Sequence, residues 1–231
     1  MRKSCFMRND DEPFFKPYIG LNYSTNNKNN CRVLILGSSF YCHKECVYHG
    51  TCTIDSTGYD KICPEYKGKK LSESCYNELW EYIEGHYYKA YDNFVRRVIE
   101  AKGYINLDIR REFWNRLAFY NFFQFFLPQT NTPYYWKNED LFKKQFPPFE
   151  SVVEKLSPNI IVIWGSQLRD AFADNYKLNV NEVKYSNKYY VVMIKGNRCK
   201  LLFVTHPSCP RFSKDRMKLV RQELLVTSWF E

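Results

Sequence analysis

No stretch of the 231-residue chain approaches the roughly 18 consecutive apolar residues that a membrane-spanning helix needs. The basic start Met1-Arg2-Lys3-Ser4-Cys5-Phe6 runs into Asn9-Asp10-Asp11-Glu12, where a secretory leader would carry its apolar core. Both absences set the expectation of a soluble, cytoplasmic protein with no membrane partner. There is no GxxxxGK phosphate loop, and Trp164-Gly165-Ser166-Gln167-Leu168 lacks the second glycine of a G-x-S-x-G nucleophile elbow, which argues against a P-loop nucleotidase and an α/β-hydrolase. Neither an internal repeat nor a linker-like stretch divides the sequence. Its length suits one sizeable core, so a single domain is expected over 1–231, with an N-terminal arm over 1–30.

What is present is basic and aromatic. The formal net charge is +9 and the isoelectric point about 9.0, a balance that favours a polyanionic partner through counterion release from phosphates. The chain carries 19 Tyr and 18 Phe; aromatic faces can stack on unpaired bases, although most such rings must serve as core. Nine cysteines are an odd number in a chain without an export signal, which favours reduced thiols over disulfides. Cys42-His43-x-x-Cys46, followed by His49, Cys52 and Cys63, has nearly the density of a zinc site, but the spacing departs from regular CxxC pairs. No metal or other cofactor is assigned.

Three apolar runs stand out. Arg32 to Leu36 ends at Gly37-Ser38-Ser39, Asn159 to Trp164 ends at Gly165, and Leu201 to Thr205 ends at His206-Pro207-Ser208. Uninterrupted apolar runs of this length read as parallel strands buried on both faces, each delivering a polar loop at its carboxyl end, where open α/β sheets bind ligands. The aromatic run Ala118 to Leu127, closed by Pro128, supplies a fourth core strand or its edge. Apolar spacing over Ser72 to Ala101 predicts one or two helices, Ile109 to Leu117 a short helix, Tyr189 to Ile194 a hairpin strand, and Lys214 to about Thr227 a last helix capped by Ser213. Gln129 to Pro148, with three prolines, reads as loop.

The loops Gly37-Ser38-Ser39-Phe40-Tyr41, Trp164-Gly165-Ser166-Gln167 and His206-Pro207-Ser208, in this chain order, resemble the uracil-DNA glycosylase superfamily over roughly Arg32 to Lys218. The resemblance implies a three-layer α/β/α sandwich around a mainly parallel four-stranded sheet. It implies a monofunctional DNA glycosylase that flips a uracil or modified pyrimidine out of DNA, hydrolyses its N-glycosidic bond and leaves an abasic site without a cofactor. Base-excision repair, or antiviral defence against modified DNA, is the setting it implies, with the protein acting as a monomer.

By residue, the resemblance gives His206 the negative charge that develops on the departing base. It places Gly37, Ser38, Ser39, Phe40 and Tyr41 around the base and the attacking water, with Tyr41 against the pyrimidine C5 edge. Where relatives read Gly-Gln-Asp-Pro-Tyr, this chain has no carboxylate; Ser39 can orient a water but not take its proton, and Glu45 is a substitute base. Asn121, or its rival Gln124, would read the flipped base, with Ser208 beside His206 and Phe40 and Phe122 stacking on either side. In the loop after His206, Arg211 or Phe212 would wedge into the duplex. One branch carries an iron-sulfur cluster, but its cysteines do not map clearly onto Cys42, Cys46, Cys52 and Cys63. The missing carboxylate keeps a second reading open, a non-catalytic DNA-binding module on the same fold.

Overall fold

A computed structural model of the protein describes residues 12–24, 31–41, 71–127, 139–185, 188–209 and 214–224. In chain order its strands are β1 (Tyr18–Ile19), β2 (Val33–Gly37), β3 (Phe40–Tyr41), β4 (Ala118–Asn121), β5 (Phe126–Leu127), β6 (Ile160–Trp164), β7 (Tyr190–Ile194) and β8 (Asn197–Val204). Its helices are α1 (Ser74–Ile83), α2 (Lys89–Ile99), α3 (Leu107–Asn115), α4 (Glu139–Lys143), α5 (Phe146–Leu156), α6 (Ser166–Asn175), α7 (Val180–Tyr185) and α8 (Lys214–Leu224).

The three apolar runs form strands as their composition dictates. Every residue of β2 and β6 is buried, which only a strand covered on both faces achieves. β4, β2, β6 and β8 lie side by side and parallel, with Leu34 opposite Ala118 on one side and Ile161 on the other, and Val162 opposite Leu202.

The sheet is nevertheless six-stranded and mixed, in the order β1-β4-β2-β6-β8-β7, which corrects the expected four strands. β1 comes from the N-terminal arm and pairs antiparallel with β4. It is two residues long, too short to leave an alternating pattern, yet Tyr18 is buried and the nearby Phe15 packs edge-on against Phe40 and Phe126. β7 adds the other edge through a two-residue turn at Lys195-Gly196 that sets Ile194 opposite Asn197.

Two further expectations change. The aromatic run is not one strand: β4 stops at Asn121, the chain bends through residues 122–125, and β5 then pairs with β3 in a separate two-stranded ribbon. The segment up to Pro148 is not all loop, because α5 begins at Phe146 with prolines in its first turn. Proline is tolerated there, since the N–H it lacks would have no intrahelical partner.

Packing fixes the helices. Arg221 of α8 donates to the backbone oxygens of Arg97 and Val98 and pairs with Glu100, so a cation closes the carbonyl end of α2. Asp92 of α2 is buried with two cationic partners, Arg96 at 2.5 Å and the equally buried Arg110 at 3.8 Å. On the other side, Phe172 of α6 is fully buried with its ring centroid 5.0 Å from those of Phe146 and Phe149 and 5.3 Å from that of Phe122. Phe172→Ala should lower the unfolding free energy by about 3–5 kcal/mol through the cavity it leaves, read as a fall in the urea midpoint with the slope unchanged.

Candidate functional site

Because β2, β4, β6 and β8 are parallel, their carboxyl ends share one edge of the sheet. A cavity of about 700 Å³ opens there, lined by Gly37 to Tyr41, Asn121, Trp164 to Leu168, Thr205, His206, Ser208 and Cys209. Strand order reverses beside β2, whose neighbours β4 and β6 follow it in the sequence on opposite sides, and such a switch point is where open α/β sheets bind ligands.

Register decides what meets in this cavity. Gly37 is the Cα partner of Asn121 across β2 and β4. A Cβ on residue 37 would lie 2.2 Å from Asn121 Oδ1 and 2.9 Å from a ring carbon of Phe119, so glycine is what lets the Asn121 side chain lie over the end of β2. Asn121 is only 4% exposed, and its carboxamide forms no hydrogen bond to another described residue. A buried amide on a cavity wall whose donors and acceptor are not taken by the described residues is equipped to pair with a polar ring edge.

His206 stands across the end of β8. Its Nδ1 lies 2.7 Å from Ser208 Oγ and accepts the Ser208 backbone N–H at 3.3 Å, which makes Nδ1 the acceptor and leaves the proton on Nε2. Burial lowers its pKa from the ordinary value, so the ring is neutral at physiological pH and Nε2–H is a donor. Trp164 meets the imidazole edge-on with centroids 5.9 Å apart, and Asn93 of α2 holds the loop by donating to the Pro207 oxygen at 2.9 Å.

The loop after β2 is pinned by Phe122 N–H donating to the Gly37 oxygen and Phe123 N–H to the Ser38 oxygen. Ser38 and Ser39 are half-buried, their hydroxyl oxygens 3.3 Å apart, and Ser39 also bonds the Tyr41 hydroxyl, whose pKa burial raises. Phe40 lines the cavity while packing its ring on Phe15 and Phe126.

Other expected residues are placed elsewhere. Gln124 does not line the cavity: its Nε2 donates to the Asn121 and Phe122 oxygens and its Oε1 accepts from Phe15 N–H, so it braces the bend after β4. Phe122 is core, ringed by Phe142, Phe146, Phe149 and Phe172. Glu45, Arg211, Phe212 and the cluster Cys42, His43, Cys46, His49, Cys52 and Cys63 lie outside the described residues. Among the described residues no three His, Cys, Asp or Glu side chains gather to hold a metal.

The cavity also has walls that the strand motifs do not announce. Glu78 of α1 and Tyr88, Lys89, Ala90 and Tyr91 around the start of α2 line it, and Tyr91 donates its hydroxyl to Glu78 at 2.8 Å. Burial pushes the Glu78 carboxyl up to about 7, against the opposing pull of that hydrogen bond. The first turns of α2 and α6 both face the cavity without a side-chain cap, which presents free N–H groups and positive helix ends to an anionic ligand.

Gly37→Ala should cost about 1–3 kcal/mol by overpacking; combined with Asn121→Ala the loss should be less than additive in denaturant titrations, because the clash is with that side chain. The His206 imidazole should titrate in NMR below its ordinary value of about 6.5. The unfolded chain then takes up that proton at higher pH than the folded protein. The stability contributed by neutral His206 is therefore present above about 6.5 and lost as pH falls through the lower folded value, a slope that His206→Gln removes.

No known protein-family model matches the chain, and no curated protein matches it.

Proposed function

We propose that this protein is a DNA glycosylase of the uracil-DNA glycosylase kind, which draws a pyrimidine nucleotide from DNA and hydrolyses the bond between base and sugar. The observation that carries the reading is the meeting, in one cavity, of a neutral His206 with Nε2–H to donate and a buried Asn121 carboxamide that has no hydrogen-bond partner among the described residues.

Glycosidic cleavage builds negative charge on the leaving base and positive charge on the sugar. A neutral imidazole donor stabilises the first without having to lose its proton, and one such donor is worth about 3 kcal/mol in the transition state. Asn121 pairs with a carbonyl and a neighbouring ring position of the flipped base, Phe40 and Tyr41 border the ring, and Ser38 and Ser39 hold water. The helix starts at Lys89 and Ser166 receive the flanking phosphates, in keeping with a net charge of +9. The cavity, at about 700 Å³, leaves room for a base bearing a substituent as well as for uracil.

The same reading places helices on both faces of the sheet. Crossovers between parallel strands are right-handed, and the chain steps from β2 to β4 in one direction and from β4 to β6 in the other. The proposal also includes a cytoplasmic monomer acting on DNA. The absence of a carboxylate from Ser38-Ser39 favours one rival, a DNA-binding module without catalysis.

The purified protein should convert DNA bearing uracil, 5-hydroxymethylcytosine or glucosylated hydroxymethylcytosine into alkali-labile abasic sites. His206→Ala should slow excision about 10²–10³-fold, the usual loss for one such donor, while DNA binding in a gel-shift assay is retained. Binding without excision on every substrate would select the rival reading.

A further inference from the structure

Glycosidic hydrolysis needs a group that can take a proton from water on the sugar side of the base, and neither Ser38 nor Ser39 can do so. On the inward sides of α1 and α2 stand two carboxylates, the half-buried Glu78 and the buried Asp92, and their surroundings differ. Asp92 is neutralised by Arg96 and Arg110. Glu78 has no cation paired with it among the described residues; it lines the cavity and its Oε1 accepts the Tyr91 hydroxyl at 2.8 Å.

We propose that Glu78 is the base of this site: its carboxylate, held on the cavity wall by the Tyr91 hydroxyl, takes the proton of the water that attacks the sugar. The inference rests on the glycosylase reading above. As the bond between C1′ and the ring nitrogen breaks, its electron pair leaves with the base, whose carbonyl oxygen His206 stabilises. A water lone pair forms the new C1′–O bond and the water proton passes to Glu78. Glu78 returns that proton to solvent and the base nitrogen takes one up, so a single water is consumed and no oxidant or reductant is needed. Before attack, the same carboxylate opposes the positive charge on the sugar.

The surroundings of Glu78 suit this task. Tyr91 is buried and its pKa lies well above the ordinary phenol value, so it remains a donor and orients Oε1. Burial and the neighbouring Glu81 both raise the Glu78 pKa, to about 7, which places a base near the operating pH. Glu81 is engaged by the Tyr88 hydroxyl at 2.6 Å, Cys75 on the same helix stays a neutral thiol because burial pushes it up, and Lys89 and the neutral His206 are the cationic and imidazole groups on the shared cavity wall.

The test compares wild type, Glu78→Gln, Tyr91→Phe and His206→Ala in single-turnover excision between pH 5 and 9. It also measures binding of DNA carrying a cationic pyrrolidine in place of the sugar, or its neutral tetrahydrofuran counterpart. Glu78→Gln should be about 10²–10⁴-fold slower, the range for loss of a positioned base. It should lose the rise in rate through pH 7, leaving only the lower limb set by His206. Wild type should prefer the cationic analogue and Glu78→Gln should not. Thermal melting guards against misfolding: Glu78→Gln should be the more stable protein at pH 8, where wild type must bury an ionised carboxylate. Excision by wild type that persists within a few-fold in Glu78→Gln, with the same pH limb, overturns the inference and leaves the glycosylase reading standing. If wild type excises no base at all, the glycosylase reading falls and the role of Glu78 as base falls with it; if wild type excises but binds the cationic analogue no better than Glu78→Gln does, the opposition of Glu78 to the sugar charge is overturned.

Discussion

The parallel register of β2 between β4 and β6 is the constraint from which the site follows. It sets Gly37 opposite Asn121, and only a residue without a side chain tolerates the carboxamide that lies over it. It also brings the ends of β4 and β6 to the same height, so that Trp164 stands beside the His206 loop delivered by β8. A slip of one residue in any of these pairings would turn every side chain to the opposite face and disperse the groups that line the cavity.

Around this register the chain divides its polar groups into those that hold the scaffold and those that stay unspent. Gln124, Arg110 and Arg221 donate to backbone oxygens and the buried Asp92 accepts from Arg96 and Tyr82, because polar groups withdrawn from water must be paired. Asn121, His206 and Glu78 line the cavity instead, and among the described residues the Asn121 carboxamide has no hydrogen bond and Glu78 has no paired cation. Buried groups whose capacity is left open for a ligand are what set a binding site apart from a polar core.

Much of this was legible in the sequence because burial on both faces leaves an unmistakable run of aliphatic residues. The runs Arg32 to Leu36, Asn159 to Trp164 and Leu201 to Thr205 fall on β2, β6 and β8, and the loops that follow them meet as parallel topology requires. Glu78 also left a trace: Cys75, Glu78, Leu79 and Tyr82 share the i, i+3, i+4, i+7 stripe of one helix face, and a carboxylate on such a stripe is either paired or functional. Asp92 left the same trace with the opposite meaning, and nothing in the order of residues separates the two.

Composition and periodicity by themselves determined the central strands, their carboxyl-terminal loops and the amphipathic helices between them, since these depend on local burial patterns that adjacent residues encode. Tertiary structure alone decided the rest. The edge strand at Tyr18 and Ile19 owes its existence to the exposed edge of β4. The end of β4 at Asn121 rests on pairing with Gly37, 84 positions earlier in the chain. Whether Asn121 or Gln124 faces the cavity, and whether Glu78 or Asp92 has cationic partners, depends on which distant groups fold against each, a matter of three-dimensional neighbours that residue type and spacing do not carry.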